Sequence, residues 1–172
     1  MHISRAALKM LALDEVWWLV SPQNPLKPVD GMAPLERRLA AAEQVAAKEK
    51  RIYVSDAEAQ LGTHFTADTL THLVAGYPAN RFVWLMGADN LSQFHRWRDW
   101  SRIFSIVPVA VFGRPGYSIR AISSVAARRF ARDRWPQSAA KRLVDADLPA
   151  WVFLRIREHP QSASEIRAQG GF

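Results

Sequence analysis

No cysteine occurs in the 172-residue chain, which excludes disulfides, thiolate zinc sites and a cysteine nucleophile. Histidine is scarce too. The five present are scattered without the paired spacing of metal ligands, so no metal site is assigned and any metal ion is expected to arrive with a substrate. No apolar run is long enough to span a bilayer, and the opening residues Met1-His2-Ile3-Ser4-Arg5 lack the charged and apolar segments of a secretory leader. A cytoplasmic protein with no membrane partner is expected. Negative charge is also in deficit: 16 acidic side chains against 23 basic ones leave a formal charge of +7 and a pI near 10.4. Such a balance favours anionic partners, whether nucleotides, nucleic acid or a membrane surface, and its sign alone does not choose among them.

What the chain does contain, 49% hydrophobic residues with 23% charged, suits a single globular domain over residues 1–172 with a sizeable core. Its most informative stretch is Phe82-Val83-Trp84-Leu85-Met86-Gly87-Ala88-Asp89-Asn90-Leu91. The apolar run, closed by Gly-Ala-Asp-Asn and followed by a helical pattern, predicts a buried parallel strand whose carboxyl end opens into a helix. Open α/β sheets bind ligands at that end. Gly87 eases the turn, and Asp89 brings it a carboxylate, as a helix cap or as a substrate contact. Phe94, Trp97 and Trp100, three residues apart, predict one apolar wall of a helix, facing either a ligand or the core.

The remaining chain alternates in the same way. A helix is expected over residues 3–11, a strand over 15–20, and a proline-stiffened loop over 21–28, in which Lys27 is a candidate phosphate ligand or a solvated loop lysine. A helix over 34–50 and a strand over 51–55 follow, then a helix for which Thr66 is the expected N-cap, beside free N–H groups suited to an anion or an amide. Residues 106–112 predict another strand, with Pro108 at its start, ending at Gly113-Arg114-Pro115-Gly116; Arg114 there reaches a phosphate or faces water. Residues 120–142 are rich in arginine and lysine. A last short strand covers 151–154, and Ser162-Ala163-Ser164-Glu165-Ile166-Arg167 reads as a helix start whose hydroxyls and guanidinium suit phosphates. Strands alternating with helices predict α/β architecture: a mostly parallel sheet with helices on both faces.

Several of these segments, in this order, resemble bacterial nicotinate-nucleotide adenylyltransferases. They are residues 13–20, Pro22-Gln23-Asn24-Pro25-Leu26-Lys27, Phe65-Thr66-Ala67-Asp68-Thr69-Leu70, Gly87-Ala88-Asp89-Asn90-Leu91 with Trp97-Arg98-Asp99-Trp100, Arg114-Pro115-Gly116 and residues 162–167. The resemblance implies a Rossmann-like nucleotidylyltransferase fold. It also implies transfer of the adenylyl group of ATP to nicotinate mononucleotide, giving deamido-NAD and pyrophosphate, with Mg²⁺ accompanying ATP and no covalent enzyme intermediate. Carried over by motif, Thr66, Gly87, Asp89 and Trp97 would hold the nicotinate nucleotide, with the Trp97 indole on the pyridine ring. Ser162, Ser164 and Arg167 would hold ATP phosphates, supported by Lys27 and Arg114. No catalytic residue is assigned.

Two departures accompany the resemblance. Family members begin with a strand and a Gly-rich turn leading into a His-x-Gly-His motif; that block is absent, and His2 does not take its role. The expectation is a domain that is truncated at its N-terminus relative to the family, or whose start is assigned too late, missing the first strand of its sheet and catalytically poor or inactive as it stands. Ala163 also replaces a hydroxyl of the C-terminal motif. The alternatives are a non-catalytic nucleotide- or RNA-binding module using residues 120–142, and a nucleotidylyltransferase with another acceptor. Against nucleic acid, the aromatics do not interleave with the basic run as stacking platforms would. Oligomeric state is not encoded in any pattern of the sequence.

Overall fold

The central strands form where short runs are apolar on both faces. In the computed structural model, which describes residues 1–22, 32–114 and 116–156, Val16–Leu19 (β1) pairs in parallel with Ile52–Ser55 (β2), Val16 lying opposite Ile52. Trp84–Gly87 (β3), Val109–Phe112 (β4), Arg134–Trp135 (β5) and Trp151–Leu154 (β6) form a second, all-parallel sheet in the order β3-β4-β6-β5. Its register sets Trp84 against Val109 and Val109 against Trp151. Every residue of β4 and β6 is buried, as central strands covered on both faces require.

The helices are His2–Met10 (α1), Leu35–Ala46 (α2), Ala57–Gln60 (α3), Thr66–Gly76 (α4), Ala88–Gln93 (α5), Trp100–Ile106 (α6), Ser118–Ile122 (α7) and Val125–Arg129 (α8). Side-chain alternation along β4 divides the interior between them. Val109 and Val111 face a core with Leu70 of α4, Leu91 of α5, Phe104 of α6 and Ala126 of α8. Ala110 and Phe112 face the opposite core, with Leu8 of α1, Ala46 of α2 and Leu143. That second core also takes in Val16 and Ile52, so one helical layer spans both sheets. Trp151 fastens β6 to the first core: its buried indole N–H donates to the Phe130 carbonyl at 2.7 Å, and the Phe130 ring stacks on Phe104 with centroids 4.1 Å apart.

The α/β expectation holds, and four local readings are corrected. Thr66 is the first helical residue of α4; Phe65 occupies the cap position in an extended conformation, its carbonyl accepting from the Asp68 and Thr69 N–H groups. The 94–100 segment is no continuous helix. Phe94–Arg96 form a 3₁₀ turn, Trp97 is extended, and Asp99 adopts a left-handed φ of 50° before α6 begins. The strand expected over 106–112 starts only at Val109, because α6 runs to Ile106 and Pro108 has no N–H to give a ladder. Finally, β5 lies inside the basic run that carried no strand pattern. No helix among the described residues is long and apolar enough to cross a membrane.

Candidate active site

The chemistry-bearing residues gather at the carboxyl ends of β3 and β4. Gly87 closes β3 and caps α5, which places Asp89 in the first helical turn, where the exposed N–H groups favour a negative charge. Arg114 follows two residues after β4 and approaches from the neighbouring strand end, its Nε 3.2 Å from Asp89 Oδ1. The two form an ion pair whose N–H is not aimed at the oxygen, so no hydrogen bond is made. Asp89 Oδ1 is buried and accepts no hydrogen bond among the described residues. Both side chains are about one-third exposed, so the pair adds little to stability; it fixes where each charged group points. Gly87 lies directly beneath. A Cβ there would overlap Asp89 Oδ1 and come 2.8 Å from Arg114 Nε, so glycine is what lets these two side-chain ends lie against the backbone as they do.

An aromatic shelf stands beside this turn. Phe94 is fully buried, and Trp97 leans on it at 5.0 Å with Trp100 edge-on at 6.3 Å, so breaking the helix still brings the rings together. The Arg98 guanidinium sits 4.6 Å over the Phe65 ring, tying the Trp97 segment to the entrance of α4 and therefore to Thr66. Arg102 makes a second tie, donating to Thr71 Oγ1 at 3.1 Å and pairing with Asp68 at 3.5 Å. Of the residues singled out in the sequence, Gly87, Asp89 and Arg114 share one turn, while Thr66 and Trp97 are linked through Arg98. Lys27, Ser162, Ser164 and Arg167 lie outside the described residues.

Arg38 was not legible as a site residue. On α2, it donates to the Ser21 carbonyl at 2.6 Å, to Pro22 at 2.8 Å and to Ala33 at 2.9 Å, clasping both ends of the segment that carries Lys27. Carbonyl partners leave no side-chain signature in a sequence, so only the structure reveals the clasp. Arg38→Ala is expected to lower Tm by about 3–6 °C, the loss of charge-assisted bonds of roughly 1.5 kcal/mol in total. Arg38→Lys should recover only part of this, since a lysine lacks the planar fork. Scanning calorimetry checks both, and full recovery by lysine would refute the three-carbonyl clasp.

The parallel α/β fold, with a glycine–aspartate turn and an arginine at its carboxyl sheet edge, is nucleotidylyltransferase-like. The cytidylyltransferase-like family model matches residues 1–169. A Cereibacter sphaeroides protein named "Probable nicotinate-nucleotide adenylyltransferase" is 53% identical over 169 residues, covering 98% of this chain and 88% of that one. A Roseobacter denitrificans protein of the same name is 50% identical over 171 residues, covering 99% and 85%. The chain belongs to this nicotinate-nucleotide adenylyltransferase family of cytidylyltransferase-like proteins. Among solved structures, the fold is similar to Plasmodium falciparum nicotinic acid mononucleotide adenylyltransferase complexed with APC, at a TM-score of 0.65 and 12% identity, covering 96% of this chain and 73% of that one. The same enzyme complexed with NaAD gives a TM-score of 0.64 at 13% identity, covering the same shares. Likeness at such identity is a likeness of fold.

Proposed function

We propose that this protein transfers the adenylyl group of ATP to nicotinate mononucleotide, releasing pyrophosphate and forming deamido-NAD in NAD biosynthesis, in the cytoplasm. The observation that carries the reading is the grouping of Gly87, Asp89, Arg114 and the Trp97 shelf at one carboxyl sheet edge, in a chain half identical to relatives bearing that activity's name. A phosphate oxygen of the mononucleotide attacks the α-phosphorus of ATP; the new P–O bond forms as the bond to the pyrophosphate oxygen breaks. The protein's part is positioning and charge neutralisation. ATP enters as its Mg²⁺ complex, an ion that keeps several waters and phosphate oxygens as ligands. Among the described residues no group of three or more His, Cys, Asp or Glu side chains is placed to hold a metal.

In this reading the Trp97 indole stacks on the pyridine ring, and Thr66 offers its hydroxyl and the N–H groups at the start of α4 to the nicotinate carboxylate. Gly87 lets the nucleotide approach the backbone. Asp89 holds Arg114 toward the phosphates until substrate competes for it. Lys27, Ser162, Ser164 and Arg167 take the ATP phosphates by motif. Pyrophosphate release that requires both ATP and nicotinate mononucleotide is the expected result; no turnover together with no binding of the mononucleotide by calorimetry would overturn the reading.

Trp97→Ala tests the acceptor. Loss of one stacking platform, on the order of 1–3 kcal/mol, should raise the KM for nicotinate mononucleotide about tenfold or more and leave that for ATP within about twofold. An unchanged nucleotide KM favours a different acceptor. Within the basic run, Arg129 lies 5.9 Å from the Trp100 ring and Arg134 5.3 Å from the Trp151 ring, so these two are engaged with the protein's own aromatics.

A further inference from the structure

Asp99 carries two local costs at one place. It opens α6 from the position where an aspartate usually accepts N–H bonds, yet its side chain caps nothing, and its backbone takes the left-handed φ of 50° that a residue with a Cβ adopts only against a penalty. Such backbone persists where its surroundings over-determine it, and it clusters at ligand clamps. What this turn achieves is visible one residue back. The Asp99 carboxylate lies 3.8 Å from Arg98 Nε, and the Arg98 guanidinium lies 4.6 Å from the centre of the Phe65 ring, so Arg98 engages a carboxylate and an aromatic face at once.

Trp97 depends on that placement. The backbone hydrogen bonds of its segment are local: the Trp97 N–H donates to Phe94 at 2.9 Å, that of Trp100 to Trp97 at 3.3 Å, and that of Arg102 to Asp99 at 2.9 Å. Among the described residues no backbone bond joins residues 97–99 to α4, and Arg98 on Phe65 supplies the tie. Arg102 makes the other one, but from within α6 and to Asp68 and Thr71, inside α4. Leu70, Ile103 and Phe104 keep these two helices in one core whichever arginine is removed. We propose that Arg98 is a positioning residue for the acceptor: seated on Phe65, it fixes the Trp97 indole relative to Thr66, so that the stacking face and the α4 hydroxyl meet one nucleotide at a set separation. It acts through Phe65 and Trp97, not on the reacting atoms. The inference rests on the proposed reaction, in which Trp97 and Thr66 both meet nicotinate mononucleotide.

Two measurements test it: the ¹⁵N order parameter of the Trp97 indole N–H with no nucleotide present, and calorimetric Kd values for nicotinate mononucleotide and ATP. Arg98→Ala is expected to lower the order parameter from roughly 0.85 to about 0.6 or less. It should weaken mononucleotide binding about threefold to fivefold, the worth of a partly exposed cation–π contact, and leave ATP binding within about twofold. Arg98→Lys, which keeps a cation over the ring, should restore the mononucleotide Kd to within about twofold of the unaltered chain. Phe65→Leu should cost as much as Arg98→Ala and the double variant no more than either, since each cuts the same contact. Arg102→Ala should leave the indole ordered. An unmoved order parameter, losses that add in the double variant, or an indole loosened equally by Arg102→Ala overturns the inference. Mononucleotide binding by the unaltered chain that Arg98→Ala does not weaken overturns this role alone, whereas no binding by the unaltered chain overturns the proposed reaction and the role with it.

Discussion

Trp151→Ala is expected to lower Tm by roughly 6–20 °C, the largest stability loss of any single change considered, corresponding to about 3–5 kcal/mol for a buried tryptophan. Three features converge on this residue. Its side chain is only 1% exposed, its strand β6 is paired on both sides by β4 and β5, and its indole satisfies the Phe130 carbonyl in the interior. Truncation therefore leaves a cavity in the first core and a carbonyl without its donor. Trp151→Phe separates the two terms: it keeps most of the apolar volume and removes the N–H, so about 1–3 kcal/mol should be lost. Calorimetry on both variants decides. If phenylalanine proves as damaging as alanine, the hydrogen bond and not the volume carries the residue's contribution.

Gly87→Ala should reduce kcat/KM by about 100-fold while shifting Tm by no more than about 2–4 °C. The backbone at Gly87, with φ −80° and ψ 158°, is open to any residue, so the new methyl does not strain the chain. It instead takes the space of Asp89 Oδ1 and crowds Arg114 Nε, and those two side chains must turn apart. Their pairing is partly exposed and of little value to stability, which keeps the fold nearly intact. A displacement on the order of 1 Å at a phosphoryl-transfer site is costly because reaction depends on alignment. Steady-state pyrophosphate release beside thermal unfolding tests the split. A large fall in Tm with retained turnover would show that Gly87 serves packing only.

Strands that lie in the sheet interior were legible because burial on both faces writes itself as an apolar run: the expected segment over 151–154 meets Trp151–Leu154, and that over 106–112 contains Val109–Phe112. β5 was not. It has only Arg134 and Trp135, with Pro136 after them, and its pairing is imposed by β6. The spacing of Phe94, Trp97 and Trp100 correctly grouped three rings while misstating the backbone between them, since both a helix and a 3₁₀ turn followed by a left-handed residue return every third side chain to one face. At the site, Gly87, Asp89 and Arg114 were found separately, each at a strand end. Their contact was not, because the pairing of β3 with β4 that joins them is a property of the sheet. Arg98 stood within the motif around Trp97 without a role, because its partner Phe65 is distant in sequence.

The way Trp97 is seated bears on what stacking would cost in the proposed reaction. Its ring rests on Phe94, flanked by Trp100, and the turn that carries it is pinned by Arg98 on Phe65. Ordering a mobile side chain on association costs about 0.5–1.5 kcal/mol, and a tryptophan already held by neighbours avoids most of that cost. In the proposed reaction, a flat ring arriving at this shelf would meet a surface set before it comes, and the free energy of stacking would go into affinity instead of into ordering the protein.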